Sequence, residues 1–225
     1  MRVGILGGTG PAGQALGARL AACGLEVHLG SRVAERGDTC ASALKAKWPG
    51  RLESLSGGGN ERSARADVVV LATPWEGAVA TAIEYQSALE GRVLVSMVNA
   101  LQRVGGEFRA LTPERGSIAA NVQAAVPGAL LSAAFQHVPA GDLGNLDKSL
   151  RCDVLVCADD PRASETTATL VEKIPGLRAI KAGSLFSAGA VEALTAVLLN
   201  VNVTYKTHVS LGLYGLGERE DKTRS

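Results

Sequence analysis

The sequence predicts an α/β fold, a parallel sheet with helices on both faces, on three observations. Short apolar runs alternate with alanine-rich segments of helical length from the first residue onward, and such alternation implies βαβ units. A glycine cluster, Gly7 to Gly13, sits where the first run meets the first helical segment. Hydrophobic residues make up 46% of the 225 residues, with 27 Gly and 8 Pro, so the chain is no low-complexity sequence and can bury an ordinary core.

Arg2–Leu6, Val27–Gly30, Asp67–Ala72 and Arg92–Ser96 are the expected strands, each rich in Val, Leu or Ile and bounded by Gly, Pro or Ser. Pro11–Cys23, Ala34–Trp48 and Gly77–Leu89 are the helices between them. Gly57-Gly58-Gly59 is expected as a flexible surface turn. Leu130–Phe135 is a further strand, running out into Gln136-His137-Val138-Pro139. From residue 151 the pattern restarts on a smaller scale. Asp153–Ala158 and Leu177–Ala182 are strands, and Asp159-Asp160-Pro161 opens a helix between them. A long apolar helix then runs from about Ser187 to Lys206, and the charged tail Glu218–Ser225 is expected to fray. Residues 1–150 thus form one α/β domain, and 151–225 a smaller C-terminal one.

Composition excludes several classes of function. A formal net charge of +1 without a long basic run gives no footprint for nucleic acid or for an anionic membrane. Leu185–Tyr205 is apolar, but Glu192, Asn200 and Asn202 interrupt it, so a buried helix is expected rather than a membrane span. Cys23, Cys40, Cys152 and Cys157 form no Cys-x-x-Cys pair and have no His at zinc-ligand spacing, which predicts free thiols in a reducing cytoplasm and no metal site. The first residues do not read as a signal peptide. Neither a Ser-x-x-Lys nor a Gly-x-Ser-x-Gly arrangement is present, and no catalytic side-chain nucleophile is expected.

Gly8-Thr9-Gly10-Pro11-Ala12-Gly13 matches the G-x-G-x-x-G fingerprint, in the right context between strand and helix. The chemistry asks for a tight turn at Gly8, close backbone approach to pyrophosphate at Gly10 and close helix–strand packing at Gly13. The free N–H groups of the helix start then face the phosphates. This makes residues 1–150 a Rossmann-type dinucleotide-binding domain. An NAD-specific site would end the second strand with an acid; here the strand ends Gly30-Ser31-Arg32, with Arg36 one turn on. A hydroxyl and forked cations suit a 2′-phosphate, so NADP is favoured over NAD. Thr73-Pro74-Trp75, Ser96–Asn99 and Gln136–Ala140 all follow strands and should line one crevice at their carboxyl ends.

Gly7-Gly8-Thr9-Gly10, Gly30-Ser31-Arg32, Thr73-Pro74-Trp75 and Val138-Pro139-Ala140 resemble the NADPH-dependent reductases of coenzyme F420, an 8-hydroxy-5-deazaflavin. Gly144-Asn145-Leu146-Asp147, Ala182-Gly183-Ser184-Leu185 and Val191-Glu192-Ala193-Leu194-Thr195 extend the similarity along nearly the whole chain. The resemblance implies hydride transfer between NADP(H) and the deazaflavin. It assigns Thr9 to Ala12 to pyrophosphate, and Ser31, Arg32 and Arg36 to the 2′-phosphate. Trp75, Asn99 and Ala140 would lie near the nicotinamide half, and Val138 and Leu211 would complete the deazaflavin pocket. Archaeal relatives place a His two residues before the Val-Pro-Ala run; this chain has Gln136 there, with His137 beside it.

Two other readings compete. An NADP-dependent reductase of a small imine or carbonyl would need a general acid, for which His137 is the obvious candidate. A non-catalytic NADP(H) sensor would need a partner surface instead of a second ring site. The apolar helix Ser187–Leu199 exceeds what a small domain usually buries, so a homodimer is expected.

Overall fold

The computed structural model describes residues 1–216; the tail Glu218–Ser225 lies outside the described residues. The chain order is β1 (Arg2–Leu6), α1 (Pro11–Ala22), β2 (Glu26–Ser31), α2 (Ala34–Lys47), β3 (Leu55–Gly59), α3 (Asn60–Ser63) and β4 (Val68–Leu71). There follow α4 (Trp75–Glu84), α5 (Gln86–Leu89), β5 (Val93–Ser96), β6 (Leu101–Val104), β7 (Glu107–Ala110), α6 (Ile118–Ala125), β8 (Leu130–Ala133) and α7 (Ala140–Leu143). The last elements are β9 (Cys152–Ala158), α8 (Pro161–Glu172), β10 (Leu177–Lys181) and α9 (Ala188–Tyr205).

Eight strands form one sheet in the order β10-β9-β8-β5-β4-β1-β2-β3. Every pairing is parallel except β8 with β9. Val68 and Val70 of β4 join a core with α1, α2 and α8, while Val69 and Leu71 join one with α4, α6 and α9. Both faces being covered, the central strands carry unbroken apolar runs rather than alternation. Residues 152–158 and 177–181 do not start a sheet of their own; they extend the same sheet, reversed, from β8.

Two expectations need correction, and one element was not expected. Gly57-Gly58-Gly59 is not a turn but the end of edge strand β3, paired with Leu29, Gly30 and Ser31 of β2. The glycines serve close approach: a Cβ on Gly57 would collide with the backbone of Gly37 in α2. The expected helix Gly77–Leu89 starts two residues earlier and breaks at Tyr85. A hairpin, β6–β7, had no counterpart in the sequence reading. Its signal was Gly105-Gly106 between strands, with φ of 59° and 92°, the two-residue turn that suits a hairpin. Asn200 of α9 holds this hairpin, its amide accepting from Phe108 N–H at 2.7 Å and donating to Phe108 O at 2.8 Å.

The apolar helix α9 is one-sided rather than buried. The stretch Leu185–Tyr205 is long and apolar enough to cross a membrane by length and composition, and 28% of it is buried. Its acid ties it to the fold: Glu192, 3% exposed, accepts from Ile118 N–H at 2.9 Å and Ala119 N–H at 3.1 Å. The carboxylate thus caps α6, satisfying donors that the helix cannot satisfy itself. Burial raises the Glu192 carboxyl from 4.5 to about 7, against the pull of the two N–H groups.

A raised carboxyl pKa means that the folded state holds the proton more tightly than the unfolded chain. Its contribution is therefore complete below pH about 4.5 and lost as pH rises through about 7. Glu192→Gln carries no such titration. Between pH 4.5 and 8 the stability difference between the two proteins should move toward the variant by up to about 3 kcal/mol. Urea unfolding at both pH values checks this, and a constant difference contradicts it.

Candidate functional site

The glycine fingerprint forms the loop from β1 to α1. Gly7 makes the turn with φ +72°, not Gly8 as the fingerprint suggested. Gly8 N–H donates to Gly30 O of β2 at 2.8 Å, and Gly7 N–H to Asn60 Oδ1 at 3.3 Å. Asn60 is a residue that sequence reasoning missed. A Cβ on Gly8 would lie 2.9 Å from Leu29 Cα, and one on Gly13 2.9 Å from Gly8 Cα, so both are glycine for the fold's sake. Gly10 differs. A Cβ there would meet only Gly7 O at 3.6 Å and Ala72 O at 3.8 Å, ordinary contacts that the protein would tolerate. Gly10 caps α1 without a side-chain hydrogen bond, Pro11 opens the helix, and no acid stands in the first turn. The helix start is left open to an anion.

At the end of β2 the Ser31 hydroxyl is buried and accepts from Val33 N–H at 3.3 Å, while Arg32 and Arg36 are exposed. Thr9 gives its carbonyl to Gln14 Nε2 at 2.6 Å. Thr73 packs against Gly7, and its hydroxyl is buried without a partner. Pro74 caps α4, which Trp75 opens; the half-buried indole packs on the apolar core beneath.

A second hollow, of about 160 Å³, lies where Ala12 of α1 faces the turn after β8. Phe135 stands in that turn with φ +68°, a conformation that a bulky side chain adopts only under constraint. The constraint is visible one residue on. Gln136 O accepts from Asn99 Nδ2 at 3.1 Å and from Thr195 Oγ1 at 3.2 Å, and Thr195 also reaches Asn99 Oδ1 at 3.2 Å. The carboxamide of the same residue is the reverse case: Gln136 is 5% exposed, and both its Oε1 and Nε2 are buried without a partner. Buried amides nearly always find partners, and this one has its full bonding capacity left over among the described residues.

His137 is 3% exposed, not a histidine on a surface loop. Its Nε2 accepts from Leu155 N–H at 3.2 Å, so Nδ1 carries the proton. Burial lowers its pKa to about 4, which leaves it neutral at physiological pH. Val138, Pro139 and Ala140 continue the wall of the hollow, with Leu198, Leu199 and Asn202 of α9 opposite. Trp75 and Leu211 do not line it. Leu211 instead accepts from Asp153 N–H at 2.9 Å through its carbonyl, and Val209 of the same segment takes the place by the hollow. Glu192, Thr195 and Asn202 were legible as polar positions three, seven and ten residues apart on an apolar helix, a one-face spacing.

The short helix α7 is seated by Arg19 of α1. The buried guanidinium donates to Leu143 O at 2.9 Å, Asp142 O at 3.0 Å and Lys148 O at 3.3 Å. Burial lowers the Arg19 pKa. Asp142 is itself held by Lys148 at 2.7 Å and His208 at 2.9 Å. Burial opposes its charge, but these two partners keep its carboxyl below the usual range.

The chain is similar along most of its length to known proteins. The family described as "NADP oxidoreductase coenzyme F420-dependent" matches residues 2–100. An F420-dependent NADP reductase of Methanocaldococcus jannaschii is 34% identical over 212 residues, covering 92% of this chain and 95% of its own. That of Methanothermobacter thermautotrophicus is 33% identical over 227 residues, covering 98% and 97%. A solved chain from Arthrobacter sp. FB24 superposes with a TM-score of 0.77 at 22% identity, covering 95% of this chain and 100% of its own. The imine reductase of Streptomyces aurantiacus shares the fold at a TM-score of 0.59 and 20% identity, covering 91% and 62%.

The glycines separate by substitution. Gly10→Ala should leave stability unchanged or raise it by up to about 1 kcal/mol, since Ala accepts that backbone and stiffens the unfolded chain. Gly8→Ala and Gly13→Ala should each cost about 1–3 kcal/mol by overpacking. Urea midpoints decide the order, and a Gly10→Ala loss equal to that of Gly8→Ala would refute it.

Proposed function

Because this chain belongs to the family of coenzyme F420-dependent NADP oxidoreductases, we propose that it transfers hydride between NADP(H) and the deazaflavin coenzyme F420. It is an oxidoreductase with two small-molecule cofactors. One observation carries the reading to this chain's own residues: the second hollow abuts the nucleotide loop at Ala12 and presents an unpartnered carboxamide from Gln136. A sensor has no use for such a hollow.

The uncapped start of α1, with Gly10 as its open position, fits pyrophosphate held by Thr9 to Ala12. Ser31, Arg32 and Arg36 fit the 2′-phosphate, there being no acid at the end of β2 to take a ribose hydroxyl. Thr73, Pro74 and Trp75 would border the nicotinamide half. Asn99 and Thr195 act on the ring site through the Gln136 carbonyl, and Val138, Pro139 and Ala140 form its wall. Leu211 stands outside the hollow and would act only through the segment it anchors. The nucleotide and the deazaflavin supply the hydride donor and acceptor. The chain orients both and excludes water, which needs no side-chain nucleophile. The Gln136 carboxamide can donate to a ring carbonyl and accept from a ring N–H at once, matching an imide edge.

The imine reading asks for a proton donor. His137, neutral and tied through Nε2 to β9, is a poor one. We further read the protein as a cytoplasmic homodimer. Its four cysteines are free, and Val197 at 56%, Val203 at 52% and Tyr205 at 73% exposure leave α9 with an apolar outer face. Size-exclusion at micromolar concentration tests the dimer, and a monomer would refute it.

Mixing protein, NADPH and oxidised deazaflavin should bleach the visible band of the deazaflavin; a band unchanged while the protein is folded refutes the activity. Arg32→Ala should weaken NADPH by about ten- to a hundredfold and NADH little; equal losses contradict the phosphate role. Gln136→Leu should slow deazaflavin reduction by about 10- to 100-fold, leaving NADPH affinity within about twofold. Because it removes an unpaired buried amide, it should not lower the unfolding midpoint. A variant at full rate removes Gln136 from the site.

A further inference from the structure

Another hollow, of about 520 Å³, lies outside the site described above. It is a groove beside α1, between the end of α2 and α7. Ala140 lines both this groove and the ring hollow, and Pro11 of the groove adjoins Ala12 of the hollow. The two hollows thus meet at Ala140, and a ligand seated beside Gln136 would enter the groove past that residue. The size suits a small-molecule segment.

Its chemistry has a sign. The floor is made of small residues, Ala15, Ala18 and Gly144 among them, which admit an extended chain. At the far end stands Trp48, whose indole Nε1 is buried and without a hydrogen-bond partner. The Lys47 ammonium lies 5.4 Å from the centre of its ring and the Arg51 guanidinium 5.3 Å. Arg51 is held by Asp147 at 2.7 Å, whereas Lys47 has no carboxylate partner among the described residues. Among the described residues, no carboxylate lines the groove. A lysine and a tryptophan with a partnerless indole N–H thus border an apolar channel.

We propose that this groove seats the anionic, glutamate-bearing side chain of the deazaflavin coenzyme, whose ring occupies the hollow beyond Ala140. The inference rests on the deazaflavin reading above. Gln14 and Asn145 add amides along the path, and the Trp48 N–H and Lys47 are the contacts for carboxylate or phosphate at its end.

The test compares two fluorescent ligands by quenching titration in the intact protein: the full coenzyme, and the same ring carrying an uncharged ribityl chain. Wild type should bind the full coenzyme at least about tenfold more tightly, an advantage that shrinks as salt is raised. Lys47→Glu should cut that advantage about fivefold or more, and Trp48→Phe, which removes the N–H but keeps the ring, about threefold. Binding of the uncharged ring compound and of NADPH should stay within about twofold of wild type. Equal wild-type affinity for the two ring ligands, or an advantage untouched by Lys47→Glu, overturns the groove assignment and leaves the ring site standing. Failure to bind either ring ligand overturns the deazaflavin reading, and the groove assignment with it.

Discussion

The carbonyl of Gln136 is the point on which the site depends. It is held by Asn99, from the loop after β5, and by Thr195, from α9, which also bond one another. Three segments remote in sequence thus meet at one oxygen. Holding that oxygen obliges the chain to leave β8 through Phe135 in a left-handed conformation, a strain of about 1–3 kcal/mol that only a firmly fixed surrounding sustains. The reward is a side chain aimed into a hollow with its own bonding capacity unspent.

The position of α9 follows from the same junction. Glu192 lies one turn before Thr195 and caps α6, so one helix serves both the hinge of the site and the start of a core helix. Within the next two turns, Asn200 holds the β6–β7 hairpin and Asn202 accepts from Val209 N–H at 2.7 Å. The four polar residues act as fasteners on an otherwise apolar rod. The reversal of β9 against β8 completes the arrangement. It brings Leu155 beside the turn, where its N–H meets His137 and fixes the tautomer.

Much of this was legible in the sequence. The central strands of β1, β4 and β5 and the helices α1 and α2 fell where apolar runs and alanine-rich segments put them, because both faces of a parallel sheet demand such runs. The fingerprint Gly8-x-Gly10 marked the loop from β1 to α1, though the turn itself belongs to Gly7. What escaped depends on contacts across the chain. Gly57 to Gly59 read as a turn, because no local signal says that Gly37 of a neighbouring helix will lie against them. Gln136 and His137 read as crevice residues, because their burial comes from α9 and β9, elements reached fifteen or more residues later. Thr195 stood in a motif that could be quoted, but its meaning lies in a carbonyl 59 positions away.

The openness around Gly10 has an evolutionary consequence. Gly8 and Gly13 are kept by the fold itself, since any side chain there strikes backbone. At Gly10 the fold exerts no such veto, and selection removes only substitutions that push a protein below what its function needs. A lineage of this protein that ceased to hold nucleotide would be free to drift at Gly10 while remaining bound at its two neighbours. The glycine that the structure least requires is therefore the most sensitive record of whether the loop is still in use.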